Sequence, residues 1–122
     1  MAQNKLVMFG PIALNTTLTT NLLNPPTTTG GVGIGAMNCY LLLRHIRILN
    51  KTTSAQTFSL WLGATGANAA GTEVVGSGVS VPPNSYIDWY GQMTMETSHF
   101  LVGGASANTS LVLQAEGEVG LR

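Results

Sequence analysis

Residues 40–63, YLLLRHIRILNKTTSAQTFSLWLG, contain two runs of alternating character separated by a polar stretch at 50–55. Alternation with period two marks a β-strand that buries one face. In the second run Phe58, Leu60 and Leu62 point one way, and Thr57, Ser59 and Trp61 the other. In the first, Leu42, Ile46 and Ile48 share a face with Arg44, while His45 and Arg47 sit opposite among leucines. The spacing predicts a hairpin over 40–63 with one dry and one mixed face. Such a hairpin is stable only when a second sheet covers the dry side.

The rest of the chain supplies that second layer. Residues 109–121 alternate most regularly: Leu111, Leu113, Ala115, Val119 and Leu121 face in, and Val112, Gln114, Glu116 and Glu118 face out. Over 86–95, Ile87, Trp89, Met93 and Met95 oppose Tyr86, Asp88 and Tyr90. A strand over 73–81 carries Gly76 and Gly78, which signal a bulge or a close backbone approach. A further strand is expected at 99–102, with turns at 82–85 and 103–108. Nothing has the 3.6-residue period of a helix. The pattern predicts an all-β chain: an antiparallel β-sandwich of about eight strands, with jelly-roll connectivity as one way to order them.

Residues 1–29 read as an extended N-terminal arm ahead of a β-sandwich domain at 30–122. Apolar pieces at 6–9 and 12–14 flank Gly10-Pro11, a Thr-rich strand is expected at 15–23, and Asn24-Pro25-Pro26 ends it. Backbone ordering costs about 1–2 kcal/mol per residue, so this arm must pair with a sheet, its own or a neighbour's.

Composition narrows the function. Charged residues make up 8% of the 122 and hydrophobic ones 44%, against about 25% charged in an ordinary domain. A neutral, hydroxyl-rich surface suits a chain that ends up packed against others. Net charge is zero and the basic residues are scattered, which argues against nucleic acid or anionic lipid as partner. The single Cys39 fits a reducing compartment. The N-terminus lacks the pattern of a signal peptide, and no run reaches the roughly 20 apolar residues of a membrane helix.

No catalytic, cofactor or metal motif stands out. Residues 30–35, GGVGIG, lack the dinucleotide spacing and lead into a strand, so they read as a linker. His45, His99, Cys39 and Asp88 have no short ligand spacing. Glu116 and Glu118 read as a solvated strand face rather than an acid/base pair. The chain is expected not to be an enzyme. Trp61, opposite the dry row, is either an interface anchor or a residue covered by the chain's own arm.

Taken together, YLLLRHIRILNKTTSAQTFSLWLGATGANAAGTE, SGVSVPPNSYIDWYG and TSLVLQAEGEVG resemble a β-sandwich module common among virion proteins of tailed bacteriophages. The resemblance covers residues 40–121 and is closest to small head decoration (cement) proteins. It implies a structural protein of the virion, assembled in the host cytoplasm, that bridges subunits of the major capsid protein as a homotrimer. A tail-tip or tail-fibre module binding a host receptor or glycan is the alternative. Interface contacts are expected from Leu6, Val7, Phe9, Leu18 and Leu22 of the arm, pairing edge to edge with another chain. Arg44, His45, Arg47, Trp61 and Tyr90 are expected to supply the rest. The resemblance implies no cofactor and no small-molecule substrate.

Overall fold

The regular alternation at the C-terminus forms the strand against which the others take their register. A computed structural model describes residues 5–18, 20–24, 39–63, 73–96 and 99–121. Its strands are β1 (Lys5–Ala13), β2 (Asn21–Leu23), β3 (Cys39–Asn50), β4 (Gln56–Gly63), β5 (Glu73–Val81), β6 (Tyr86–Met95), β7 (Phe100–Ala105) and β8 (Leu111–Leu121). One sheet has the order β1-β8-β3-β6 and the other β2-β7-β4-β5, with every pair antiparallel. The first strand thus pairs with the eighth, the second with the seventh, the third with the sixth and the fourth with the fifth. The chain is a long hairpin wrapped into two layers, which is the jelly roll. The expected all-β sandwich of eight strands is the observed fold.

The inward row of β8, Leu111, Leu113, Ala115 and Val119, is fully buried as its alternation predicts. Leu41, Leu43, Ile46 and Ile48 of β3 meet it from the same sheet, and Phe58, Leu60 and Leu101 close the core from the other. Ile87, Trp89 and Met93 of β6 pack against this core on the expected face.

Residues 40–63 are not a hairpin. β3 belongs to the first sheet and β4 to the second, so residues 51–55 are a corner between layers. The corner lets both dry faces meet across the interior, which two strands in one sheet cannot do. Asn50 pins it. Its side chain is fully buried; Nδ2 donates to the carbonyls of Ser54 (2.9 Å) and Val81 (3.0 Å), and Oδ1 accepts from Thr52 N (2.9 Å) and Oγ1 (2.7 Å).

The face assignment in β3 is also corrected. Leu41 and Leu43, rather than Leu42, share the core with Ile46 and Ile48. Leu43 pairs with Gly117 and His45 with Glu116, so Arg44 is an extra residue relative to β8. β6 carries two residues, Gly91 and Gln92, between the partners of Leu43 and His45. This bulge shifts the phase of β3 by one and turns both Arg44 and His45 outward.

The N-terminal segment pairs within its own chain. β1 lies beside β8 with a register shift at Gly10-Pro11, whose peptide bond is cis, and β2 lies beside β7. Residues expected to form an arm ahead of the sandwich are therefore strands of its two sheets, and edge-to-edge pairing of β1 and β2 is met first by β8 and β7. The Thr-rich strand is only three residues long. Residues 14–18 instead lead from one sheet towards the other, with Ala105 N donating to Asn15 O (2.8 Å) and Thr16 N to Asn108 Oδ1 (2.8 Å). Gly103 and Gly104, expected in a turn, belong to β7 because the neighbouring backbones approach closely: a Cβ on Gly104 would lie 2.5 Å from Asn15 O. The GGVGIG linker and most of the small-residue loop at 63–71 fall outside the described residues.

Candidate interaction surface

Outward positions of the first sheet line up across four strands. β1 contributes Leu6 and Met8, β8 contributes Gln114, Glu116 and Glu118, β3 contributes Arg44, His45, Arg47 and Leu49, and β6 contributes Tyr86, Asp88 and Tyr90. The register explains the contacts: His45 lies opposite Glu116 on one side and Tyr90 on the other, and Arg47 opposite Gln114 and Asp88. Directly opposed side chains on one face of a sheet are the pairs that interact.

A ladder of charge runs through the middle of this face. Arg47 Nε and Nη2 donate to Asp88 Oδ1 (2.8 Å) and Oδ2 (3.2 Å), the two-pronged geometry that guanidinium and carboxylate favour. His45 places Nε2 2.8 Å from Asp88 Oδ1 and Nδ1 3.0 Å from Glu116 Oε1. Both ring nitrogens face carboxylate oxygens, so both contacts are hydrogen bonds only in the doubly protonated ring. Arg44 Nε pairs with Glu118. Two aromatic rings cap the ladder: Tyr90 stacks on His45 with centroids 4.6 Å apart, and Tyr86 lies 4.3 Å under the Arg47 guanidinium.

These contacts move two titrations. Arg47, foremost, and then His45 hold the Asp88 carboxyl down to about 2 through their hydrogen bonds. For His45, partial burial is the largest single effect and opposes the charge. The hydrogen bonds to Asp88 and Glu116 and the charges behind them outweigh it, so its pKa stands above the ordinary value.

Around the ladder the face is apolar and open. Leu6 is 86% exposed, Tyr90 71%, Met8 62%, Tyr86 51% and Leu49 40%. Among the described residues these are all but one of the exposed large hydrophobics, the other being Leu18. Leu6, Arg44, His45, Tyr90, Glu116 and Gly117 line a shallow depression between β1 and β6. Two of the five basic and three of the five acidic residues lie on this one face. Their partners are one another, so the face is locally compensated rather than strongly charged. Among the described residues no cluster of three His, Cys, Asp or Glu side chains is arranged to hold a metal ion.

Of the ten expected interface residues, Leu6, Arg44, His45, Arg47 and Tyr90 come together here. Val7 and Phe9 turn inward against the core, and Leu22 is buried in it. Leu18 is exposed, but it sits on the crossing segment beside Gly104. Trp61 is not an exposed anchor: it is 7% exposed and packs with Val102 and Phe100 on the outer side of the second sheet. Met8, Leu49, Tyr86, Asp88, Glu116 and Glu118 complete the surface and were not among the expected residues. The alternation of β1 placed Met8 beside Leu6. The two glutamates had read as solvated because their basic partners lie some seventy residues away.

No protein-family model matches the chain, and no curated protein matches it. Among solved structures it is similar to the coat protein of Tobacco streak virus, with 15% identity, a TM-score of 0.46, and coverage of 98% of this chain and 85% of that one.

Proposed function

We propose that this chain is a structural protein of a phage virion. In this reading it decorates the head, laying the outer face of its first sheet across neighbouring capsid subunits. The observation that carries the proposal is the concentration of exposed Leu6, Met8, Leu49, Tyr86 and Tyr90 around one self-compensated charge ladder. Exposed large apolar side chains gathered on one face of an otherwise hydroxyl-rich surface are what binding faces present. Each large apolar anchor buried on docking contributes about 1.5–3 kcal/mol, so a few suffice when several copies engage one shell. Every cation on the face already has an anion beside it, so docking depends little on salt.

The jelly roll does not by itself choose this role, since one fold hosts many functions. What supports decoration over a tail-tip receptor reader is that the open surface is shallow, with apolar side chains around a compensated ladder, rather than a deep polar cleft. Counting copies of the chain in purified particles tests it. Copies in proportion to the shell subunit are expected; a handful per particle would assign it to the tail, and none would end the proposal.

A further inference from the structure

Among the described residues the two sheets have four edge strands, β1, β6, β2 and β5, and these are not equally guarded. β2 is three residues long. β5 is broken by register shifts and by Gly78 at φ +63°. β6 presents Asp88 on its outward row and bulges at Gly91-Gln92. β1 is interrupted too, at Gly10-Pro11, but not over its first five residues. From Lys5 to Phe9 its register with β8 is unbroken, no charged residue follows until after Ala13, and its outward side chains, Leu6 and Met8, are the first and third most exposed large hydrophobics described. Among the described residues nothing pairs with its free side. An unpaired, regular edge whose one charge, Lys5, stands at its end is a template for another strand.

We infer that β1 pairs with β1 of a second copy, antiparallel about a two-fold axis near Val7. Among this chain's own edges, β1 offers an unbroken apolar run, Leu6 to Phe9, and the axis sets the single Lys5 of each copy opposite Phe9 of the other, so no like charges face each other. The axis sets Leu6 of each copy opposite Met8 of the other, joining four exposed side chains into one apolar cluster. Neighbouring Cβ atoms in such a pair stand about 4.5–5.5 Å apart. The two first sheets become one eight-stranded sheet with both charge ladders on the same side. An isologous contact of this kind closes at two copies. It shares Leu6 and Met8 with the proposed docking face but leaves Tyr86 and Tyr90 on the far edge strand untouched, so variants at the two edges separate the readings.

Light scattering on the full chain over a range of concentrations tests the pairing. Twice the 12.7 kDa of one chain is expected at high concentration. The Leu6→Lys/Met8→Lys variant should stay at the mass of one chain with an unchanged circular dichroism spectrum, because both side chains point to solvent. A chain that is monomeric throughout, a trimer, or a dimer indifferent to the two lysines would overturn the inference. A nitroxide at Met8→Cys gives a second readout, since Cys39 is fully buried. Dipolar broadening that vanishes on dilution with unlabelled chain is expected, and its absence in the dimer would place the contact elsewhere. A monomer that still binds particles would end the pairing and leave the docking face standing.

Discussion

The imidazole of His45 lies on the ring of Tyr90, centroids 4.6 Å apart and planes 16° from parallel, while its two nitrogens face Asp88 and Glu116. A half-buried ring so placed favours the cation: two carboxylates accept hydrogen bonds from its N–H groups and an aromatic face covers it.

The ladder therefore has a defined pH window. The folded-state pKa of His45 lies above its ordinary 6.5, so its contribution to stability is complete below about that pH and is lost as pH rises through the folded-state value. Asp88 acts in the opposite sense: its contribution is present above its ordinary 3.8 and is lost as pH falls through about 2. An NMR titration of His45 should give a midpoint above 6.5, lowered in Asp88→Asn. The fall in urea midpoint at higher pH should be shallower in His45→Gln. A His45 midpoint at or below the ordinary value would contradict the geometry.

Asn50 holds the corner between the sheets with four hydrogen bonds from a fully buried side chain. Asn50→Ala leaves the Val81 carbonyl and the Thr52 amide short of those partners. Stability to urea should drop by at least about 2 kcal/mol, since each buried polar group left unpaired costs about 1–3 kcal/mol. A loss under half of that would mean that water or a neighbouring group takes over.

Gly117 sits where β8 passes the bulge of β3, and a Cβ there would land on the Leu42 carbonyl oxygen. Backbone, unlike a long side chain, cannot step aside. Gly117→Ala should destabilise the chain by about 1–3 kcal/mol, the usual range for overpacking. It should also shift amide resonances on both sides of Arg44. Wild-type stability would show that the bulge has room.

Deleting residues 1–24 removes β1 and β2 and with them one edge of each sheet. It uncovers Leu113, Ala115 and Leu101 along their lengths. The shortened chain should lose its cooperative thermal transition. A folded truncation would mean that these strands are dispensable, as an arm would be.

How much of this was legible in the chain follows from which contacts are local. The alternation of β8 needed no knowledge of its neighbours, and its buried row is as read. The β3–β4 corner was mistaken for a hairpin because residues 51–55 make a connection of hairpin length with hairpin composition. Only the burial of Asn50 distinguishes the two. The Arg44 bulge is invisible in the chain because a period-two reading assumes unbroken register, and the shift shows only against β8 and β6. Trp61 was placed on the correct side of β4, but its cover, Val102 and Phe100, comes from a strand pairing that no local pattern reveals. The proposed face is half visible in the chain: Leu6, Arg44, His45, Arg47 and Tyr90 stand out, whereas the glutamates that neutralise the basic groups gain meaning only with β8 beside β3.

The most direct test of the proposed docking face is co-sedimentation with phage heads assembled without this chain, comparing wild type with Tyr86→Ala/Tyr90→Ala. Both tyrosines project from the face and leave the core untouched, so the variant should fold normally. Wild type should sediment with the particles at low and moderate salt alike, and the variant should bind at least about tenfold more weakly, as loss of a central aromatic anchor does. Equal binding by the two chains, or wild-type binding that collapses with salt, would contradict the assignment of this face.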